Sequence, residues 1–336
     1  MVLVDAVYIN NSGGKILLDY LIQQLEKTDI EIYYLLDKRI ENRHPDIKAA
    51  NKVEYLKGGL ISKHQFYKKR GNTFQKILCF GNFPPDIRLN GTVFTYFHQL
   101  LFINAPSVLP FITRFLIKLK TVIFSLTAGN SDFWLVQSGE VKASLCKKYK
   151  AIPASKVLVI PFYPPLRPDG SITRKKGSFL YVSSGHSYKN HENLLEAFIL
   201  FFDKYRIGEL HLTIGDDFVK LQNRIGSLQQ LGYPVINHGF VGRENLAVIY
   251  NSVDFVIYPS MAESFGLGIV EAIENGCKVI GSDLPWLHAV CEPSHVFDPE
   301  SVESISLAIK EAVFKELKAS KQLMFDHIGE LIDLLK

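Results

Sequence analysis

The sequence predicts an α/β protein built from two successive open sheets of parallel strands. At 336 residues the chain is longer than one ordinary domain and suits two. Its 47% hydrophobic and 21% charged residues are typical of a globular protein. In both halves short β-rich runs alternate with helical stretches, which is the pattern of parallel β-α-β units.

The first half contains β-rich runs separated by helical stretches such as 14–27 and 140–149. The runs are VLVDAVYI (2–9), IEIYYLL (30–36), KILCFG (76–81), TVFTYF (92–97), FWLVQS (133–138) and KVLVIPF (156–162). Proline, glycine and charge are concentrated in residues 163–178, which favours a linker there. We therefore predict an N-terminal domain over residues 1–165.

The alternation starts again after the linker and predicts a second domain over residues 166–317. Its strands are FLYVSS (179–184), LHLTIG (210–215), VINHGF (235–240), DFVIYPS (254–260) and KVIGSD (278–283), and helices are expected near 191–205, 217–231 and 243–251. A final helix over about 318–336 has no strand after it. We expect this helix to pack back on the first domain.

Charge and cysteine content narrow the class of protein. The net charge of +4 gives no argument for nucleic acid as a partner. The four cysteines are widely spaced, which favours reduced thiols in a cytosol over disulfides. The first residues read as a strand and not a signal peptide, since they lack a basic lead and Asp5 interrupts their apolar run. No apolar run reaches the roughly 18 residues of a membrane span, so a cytoplasmic protein is expected.

The stretch YPSMAESFGLGIVEAIENG, residues 258–276, carries the clearest functional pattern. Its apolar positions predict a core-facing helix but leave Glu263, Gly266, Gly268 and Glu271 unexplained. The segment follows a strand, and a helix amino terminus there suits a phosphate or sugar hydroxyls. A carboxylate on that helix suits a ribose diol. In a dinucleotide fingerprint a third glycine would replace Glu271, so nicotinamide or flavin binding is discounted.

The run ESFGLGIVEAIENG, with its two glutamates separated by seven residues, resembles the signature of the retaining GT4 glycosyltransferases. Similarity to that family extends through GFVGRENLAVIYNSVDFVIYPSMAE upstream and GCKVIGSDLPWLHAV downstream. The resemblance implies the GT-B fold, with two Rossmann-like α/β/α domains facing across a cleft. It also implies transfer of a sugar, with retention, from a nucleotide-sugar donor to a lipid-linked glycan acceptor in bacterial O-antigen, capsule or related polysaccharide synthesis.

The resemblance assigns roles in the second domain. Glu271 would hold the ribose, and Glu263 would face the transferred sugar. The backbone N–H groups of Phe265, Gly266 and Leu267 would lie near the sugar hydroxyls or the diphosphate. Lys189, in SYKNH, would neutralise the β-phosphate as it leaves.

Ser184 departs from the family pattern, because many members carry an arginine at that position. We expect His186, Arg243 or a base of the first domain to replace that cation, or the diphosphate to depend more on backbone dipoles. His186 and His191 are interpreted as loop residues and not metal ligands. No Asp-x-Asp triplet occurs in the chain. We therefore expect a metal-independent reaction, with no cofactor and the nucleotide sugar as substrate.

Two features of the first domain match the family more weakly. Gly13 and Gly14, in NNSGGK, match a glycine-rich loop beside the diphosphate, with Lys15 as a source of charge, although they also suit a plain strand-to-helix turn. The spacing is not that of a P-loop. His98, in TYFHQLLF, is interpreted either as a cleft histidine that contacts the donor sugar or as a core histidine.

Two basic segments suggest where an acceptor or a membrane could bind. Residues 110–124 form an amphipathic pattern that fits either the surface of an anionic inner membrane or a core-facing helix with a solvated back. Residues 63–76 interleave bases with aromatics, which we interpret as a phospholipid surface or a site for the pyrophosphate of a lipid-linked acceptor. Peripheral attachment to the cytoplasmic face of the inner membrane is the expectation that follows.

Other functions on the same architecture stay open at this point. One is a nucleotide-sugar epimerase or a phosphorylase, which would convert the donor without an acceptor or would require free phosphate. Another is a non-catalytic protein that binds sugar nucleotides and never consumes them. The fate of the donor distinguishes these alternatives from transfer.

Overall fold

The computed structural model describes residues 1–103, 106, 109–166 and 173–336, without the side chain of Ser12. The chain divides into two compact units. The first unit comprises Met1–Ala105, Pro110–Pro164 and Phe325–Lys336, and the second comprises Pro106–Leu109 and Pro165–Met324.

Strands and helices alternate through most of the described chain. The strands are β1 Val2–Ala6, β2 Ile32–Asp37, β3 Lys52–Leu56, β4 Lys76–Cys79, β5 Thr92–Phe97, β6 Phe133–Val136, β7 Val157–Val159, β8 Lys175–Tyr181, β9 Glu209–Leu212, β10 Val235–Asn237, β11 Val253–Tyr258, β12 Lys278–Ser282, β13 Cys291–Glu292, β14 His295–Phe297 and β15 Lys321–Gln322. The helices are α1 Ser12–Leu25, α2 Leu60–Arg70, α3 Phe111–Thr127, α4 Gly139–Lys148, α5 His191–Tyr205, α6 Val219–Gln230, α7 Arg243–Ser252, α8 Leu267–Glu274, α9 Pro285–Val290, α10 Val302–Phe314 and α11 Ile328–Leu335.

The first unit contains a seven-stranded parallel sheet in the order β3-β2-β1-β4-β5-β6-β7. Its central strands are almost wholly buried, as expected of a parallel sheet covered on both faces. Phe66 and Tyr67 of α2 pack on one apolar cluster of this unit. Phe124 of α3 and Leu145 of α4 pack with Trp134 in a second cluster.

A buried ion pair joins α2 to β1 in the first unit. Lys63 Nζ of α2 lies 2.7 Å from Asp5 Oδ2 of β1, and both side chains are almost inaccessible to solvent. The Tyr67 hydroxyl donates to the same carboxylate oxygen. The predicted ligand surface over residues 63–76 is therefore wrong in part, because Lys63, Phe66 and Tyr67 point into the core.

The second unit contains a six-stranded parallel sheet in the order β10-β9-β8-β11-β12-β14. A small antiparallel pair, β13-β15, belongs to the same unit. Strands β8, β9 and β11 are buried along most of their length, and α5 and α8 each bury an apolar side. Two parallel α/β sheets in sequence are therefore present, as the fold class requires.

The single final helix predicted over about 318–336 is wrong. The Ser320 hydroxyl accepts the backbone N–H groups of Val279 and Ser294, and β15 then pairs with β13. These long-range bonds hold the chain extended where local propensity favours a helix. Only α11 is helical in this stretch, and it lies in the first unit together with α1.

Several elements were not predicted, notably β3, α2, α9, α10 and β14. β3 is an edge strand whose charged residues alternate with apolar ones and are only partly buried, so it lacks a strong apolar run. The predicted linker 163–178 includes residues 167–172, which lie outside the described residues, and its last part is the start of β8. None of the described helices combines the length and apolar character needed to cross a membrane.

Candidate functional site

The start of α8 is fixed by two glycines that act differently. Gly266 caps the helix with φ +70°, a left-handed conformation that glycine adopts without a Cβ penalty. At Gly268 the backbone is helical, but a Cβ there would collide with the Tyr258 hydroxyl and lie 3.0 Å from that of Tyr250. Gly268 is therefore required by the packing of two tyrosines, an internal reason that the sequence pattern does not reveal.

Glu263 lies in the loop between β11 and α8 and is held by two donors. Lys189 Nζ lies 2.6 Å from Glu263 Oε1, and the Ser260 hydroxyl donates to the same oxygen at 2.6 Å. The Tyr181 hydroxyl lies 2.5 Å from Ser260 Oγ and donates to the Lys189 carbonyl at 2.9 Å. Two strand ends and the turn that carries Lys189 are thus bound into one polar network.

Glu271 lies one helical turn into α8 and is 2% exposed. Arg243, the first residue of α7, forms an ion pair with Glu271 Oε1, and the Tyr250 hydroxyl donates to Oε2 at 3.4 Å. Burial raises the pKa of the Glu271 carboxyl to about 7, against the opposing effect of Arg243. The carboxyl therefore changes its protonation close to neutral pH.

The predicted replacements for the arginine absent at Ser184 are weakened by the structure. Burial and the nearby Lys189 lower the pKa of His186, so this ring is neutral at pH 7. Arg243 is engaged with Glu271. Ser184 itself is half-buried after β8, and its carbonyl accepts the Ser183 hydroxyl at 3.4 Å.

His191 begins α5 and is buried against the Tyr181 ring. Its Nε2 lies 3.1 Å from the Ser183 hydroxyl, and burial lowers its pKa to about 3. In the described part of the chain no three histidine, cysteine or acidic side chains are grouped so that they could hold a metal. His191 is therefore not a loop residue but a neutral, packed ring at the start of α5.

In the first unit the structure brings two predicted residues together. A Cβ on Gly14 would lie 3.4 Å from Cε1 of His98, so the first turn of α1 runs beside this ring. Burial lowers the pKa of His98 to about 4, which makes it a neutral hydrogen-bonding group. A Cβ on Gly13 would meet no neighbouring atom within 4 Å, whereas Lys15 is bound to Asp19 with Nζ 2.6 Å from Oδ1.

Sequence reasoning missed the supporting residues Tyr181, Ser260 and Tyr250. The first two stand at or just after the carboxyl ends of the neighbouring strands β8 and β11. Carboxyl ends of adjacent parallel strands meet at one edge of a sheet, so their polar residues could have been predicted to lie together. Tyr250 carries no such signal, because its position depends on how α7 packs on α8.

Comparisons with known proteins find a family match in the second half of the chain. Residues 164–324 match the model of the family described as glycosyl transferases group 1. A curated relative, the O-antigen chain mannosyltransferase RfbU of Salmonella typhimurium, is 28% identical over 181 residues, 52% of this chain and 49% of the relative. The chain thus spans about half the length of that relative.

Solved structures resemble the chain over most of its length. Sucrose-phosphate synthase from Thermosynechococcus elongatus aligns with a TM-score of 0.71 at 18% identity, over 92% of this chain and 88% of that one. HepE from Anabaena in complex with UDP-glucose aligns with a TM-score of 0.66 at 15% identity, over 93% and 89%. These likenesses confirm the predicted GT-B fold class. The segment of residues 164–324 is thus shown to be similar to the glycosyl transferases group 1 family, which confirms the predicted resemblance for the second unit.

Proposed function

We propose that this protein transfers a sugar, with retention, from a nucleotide-sugar donor to a lipid-linked glycan acceptor in bacterial surface-polysaccharide synthesis. The observation that carries the proposal is the pairing of both motif glutamates with cations in the second unit, Glu263 with Lys189 and Glu271 with Arg243. Both pairs lie in the segment that matches the family model. In this proposal the two glutamates bind the hydroxyls of the sugar and the ribose, and the paired cations lie next to them where a diphosphate could bind.

Glu271 is the proposed ribose ligand. Its carboxylate can accept hydrogen bonds from both hydroxyls of a ribose diol, and Arg243 favours the ionised form that does so. The Tyr250 hydroxyl steadies the second oxygen. Because the side chain is buried, each hydrogen bond to a ligand replaces little bulk water, which strengthens the contact.

Lys189 is the proposed cation for the leaving diphosphate. Transfer breaks the bond between the anomeric carbon and the donor phosphate oxygen, and the acceptor hydroxyl forms the new bond and passes its proton to that phosphate oxygen. Negative charge grows on the diphosphate as the bond breaks, so a fixed ammonium favours the transition state. Glu263 and the network around Ser260 hold Lys189 in place.

The start of α8 supplies the second proposed element of charge stabilisation. The backbone N–H groups at Phe265, Gly266 and Leu267 stand at the positive end of the helix dipole, which favours an anion. This arrangement, together with Lys189, would stand in for the arginine absent at Ser184. The proposed reaction needs no metal, in keeping with a sequence that lacks an Asp-x-Asp triplet.

The first unit would supply the acceptor side. His98 is neutral and lies beside Gly14, so a sugar hydroxyl there could hydrogen-bond to a ring nitrogen and to the backbone. Gly13 and Gly14 are proposed to leave room for the diphosphate. The Salmonella relative favours mannose as the transferred hexose, and HepE favours a nucleoside diphosphate as its carrier. We place the reaction in the cytoplasm.

A donor panel tests the proposal. The protein is incubated with GDP-mannose, UDP-glucose and other nucleotide sugars, with and without a polyprenyl-diphosphate-linked oligosaccharide and with a chelator present. We expect one donor to be consumed only when acceptor is present, with the anomeric configuration retained in the product. The matched variant Glu263→Ala should abolish transfer, whereas Glu209→Ala, at the start of β9, should not.

Three outcomes contradict the proposal. Donor conversion without acceptor, or dependence on free phosphate, indicates an epimerase or a phosphorylase. Donor that binds and is never consumed indicates a non-catalytic binding protein. Failure to bind any nucleotide sugar refutes the donor site itself.

A further inference from the structure

Helix α3 presents its apolar side chains to solvent. Of its 17 residues, all within the described chain, only Phe124 is buried. Seven large apolar side chains of the helix are between 50% and 81% exposed, namely Phe111, Ile112, Phe115, Leu116, Leu119, Val122 and Leu126. An amphipathic helix of an ordinary soluble domain buries its apolar stripe instead.

The exposed apolar side chains share one face. At 3.6 residues per turn the seven positions fall within an arc of about 140°. Phe124, the residue that packs in the apolar cluster with Trp134 and Leu145, projects from the other side of the helix. The helix therefore attaches to the first unit by its narrower side and turns its broad apolar face outward. Of the two interpretations of residues 110–124, the core-facing one is excluded.

Basic residues flank the outward face on both sides. Arg114 and Lys118 follow one border of the apolar arc, Lys120 follows the other, and all three are exposed. The helix contains no acidic residue. Long basic side chains at such borders can lay their aliphatic stems along an apolar surface while the charge stays in a polar layer.

We propose that α3 lies in the interface of an anionic phospholipid bilayer, with its apolar face among the acyl chains and its three cations at the headgroup phosphates. Apolar burial and charge attraction act together in this geometry, which is that of an interfacial helix and not of a spanning one. The inference goes beyond sugar transfer and does not depend on it, because it rests on α3 alone.

A second copy of the chain fits this surface less well. In a symmetric pair the same patch faces itself, so the cations at the borders would face one another. The helix offers no carboxylate to balance them. An anionic lipid surface satisfies both the apolar face and its basic borders, and therefore we commit to it.

Vesicle sedimentation with the full chain tests the proposal. The probes are sucrose-loaded vesicles of phosphatidylcholine with phosphatidylglycerol, and vesicles of phosphatidylcholine alone. We expect binding to the anionic vesicles to be at least about tenfold stronger and to weaken with added salt. The double variants Leu116→Gln/Leu119→Gln and Lys118→Glu/Lys120→Glu should each reduce it by about tenfold or more.

Matched double variants in the second unit control for general loss of apolar area and charge. Leu200→Gln/Leu231→Gln removes two exposed leucines, and Lys204→Glu/Lys220→Glu makes the same change of net charge. Both controls should bind vesicles as the parent does, and all four variants should keep the parent's circular dichroism and its midpoint of thermal denaturation.

Several results overturn the proposal. One is a parent protein that ignores anionic vesicles, and another is an equal loss of binding in the α3 variants and their controls. Sedimentation velocity provides a third, since a dimer that the α3 variants convert to monomer would assign this face to a second copy of the chain.

Discussion

Lys189 and Glu263, 74 residues apart in sequence, form an ion pair of 2.6 Å in which each side chain is only 12% exposed. Burying two charges costs desolvation free energy. Their mutual attraction offsets this cost only when further hydrogen bonds satisfy the remaining donors and acceptors of the two groups. Ser260 supplies one such bond to the carboxylate. The pair thus fixes the position of the ammonium in a site with little access to solvent, and the proposed stabilisation of a developing phosphate charge requires a cation fixed in this way.

Lys189→Ala should lower kcat by about 100-fold while changing the dissociation constant of the nucleotide sugar much less, because in its proposed role the ammonium acts mainly on charge that develops in the transition state. Steady-state kinetics and calorimetric titration with donor measure the two effects. Lys175→Ala is the matched control, since Lys175 also pairs with a glutamate, Glu209, at the amino end of β8. Equal losses in kcat and in donor affinity would contradict the role.

The same substitution should also reduce stability, because the Glu263 carboxylate would lose its ion-pair partner at a position that is only 12% exposed. We expect Lys189→Ala to lower the free energy of unfolding by about 1–3 kcal/mol. The double variant Lys189→Ala/Glu263→Gln should recover most of that loss without recovering activity, since the unpaired charge is gone. Thermal denaturation compares the three proteins, and a double variant less stable than Lys189→Ala would count against this explanation.

Glu271→Ala should weaken nucleotide binding by about 1–3 kcal/mol, the scale of lost hydrogen bonds to a charged group. The decisive comparison uses a 2′-deoxyribose donor. The parent should bind it more weakly than the ribose donor, whereas the variant should not distinguish the two. Glu303→Ala, which changes an exposed glutamate in the first turn of α10, is the control and should behave as the parent does. A variant that still prefers ribose would refute the assignment.

More of the fold than of the site could be predicted from the sequence. Runs such as Val253–Tyr258 are apolar throughout because both faces of a parallel sheet are covered, and this makes them visible in sequence. β3 was missed because an edge strand needs no such run. The motif glutamates were found, but Arg243 became a partner of Glu271 only through the packing of α7 on α8, which leaves no local pattern.

Helix α3 shows a different limit of sequence reasoning. Its periodicity establishes one apolar face, yet a core helix and an interfacial helix share that period. Which face is buried depends on Phe124, whose place among Trp134 and Leu145 is set by contacts with residues later in the chain. Only the structure separates the two interpretations.

The raised pKa of Glu271 predicts a pH dependence of both stability and binding. Its folded pKa, about 7, lies above the ordinary value of 4.5, so the folded state holds more protons than the unfolded state between these values. The contribution is complete below pH 4.5 and is lost as the pH rises through 7, by about 3 kcal/mol in total. The Glu271→Gln variant cannot ionise and should lack this loss.

Denaturation of the parent and of Glu271→Gln from pH 4.5 to 8 measures this difference, and parallel stability curves would contradict the raised pKa. Donor affinity should change in the opposite sense, since in the proposed role of Glu271 it is the ionised carboxylate that accepts the ribose hydroxyls. The parent should bind more tightly as the pH rises towards 7, by at most about tenfold per pH unit. In the variant that dependence should disappear.

Gly268→Ala should destabilise the second unit although alanine is the better helix former. The added Cβ meets the Tyr258 hydroxyl, and overpacking of this kind costs about 1–3 kcal/mol. Gly226→Ala in α6 is the matched control, because nothing lies within 4 Å of its Cβ position, and it should stabilise the protein by about 0.5–1 kcal/mol.

Combining Gly268→Ala with Tyr258→Phe removes the colliding oxygen and should restore part of the lost stability. The restoration is partial because the Tyr250 hydroxyl stays 3.0 Å from the new Cβ. Thermal denaturation of the four proteins measures these differences, and a Gly268→Ala variant as stable as Gly226→Ala would show that packing against the two tyrosines does not require the glycine.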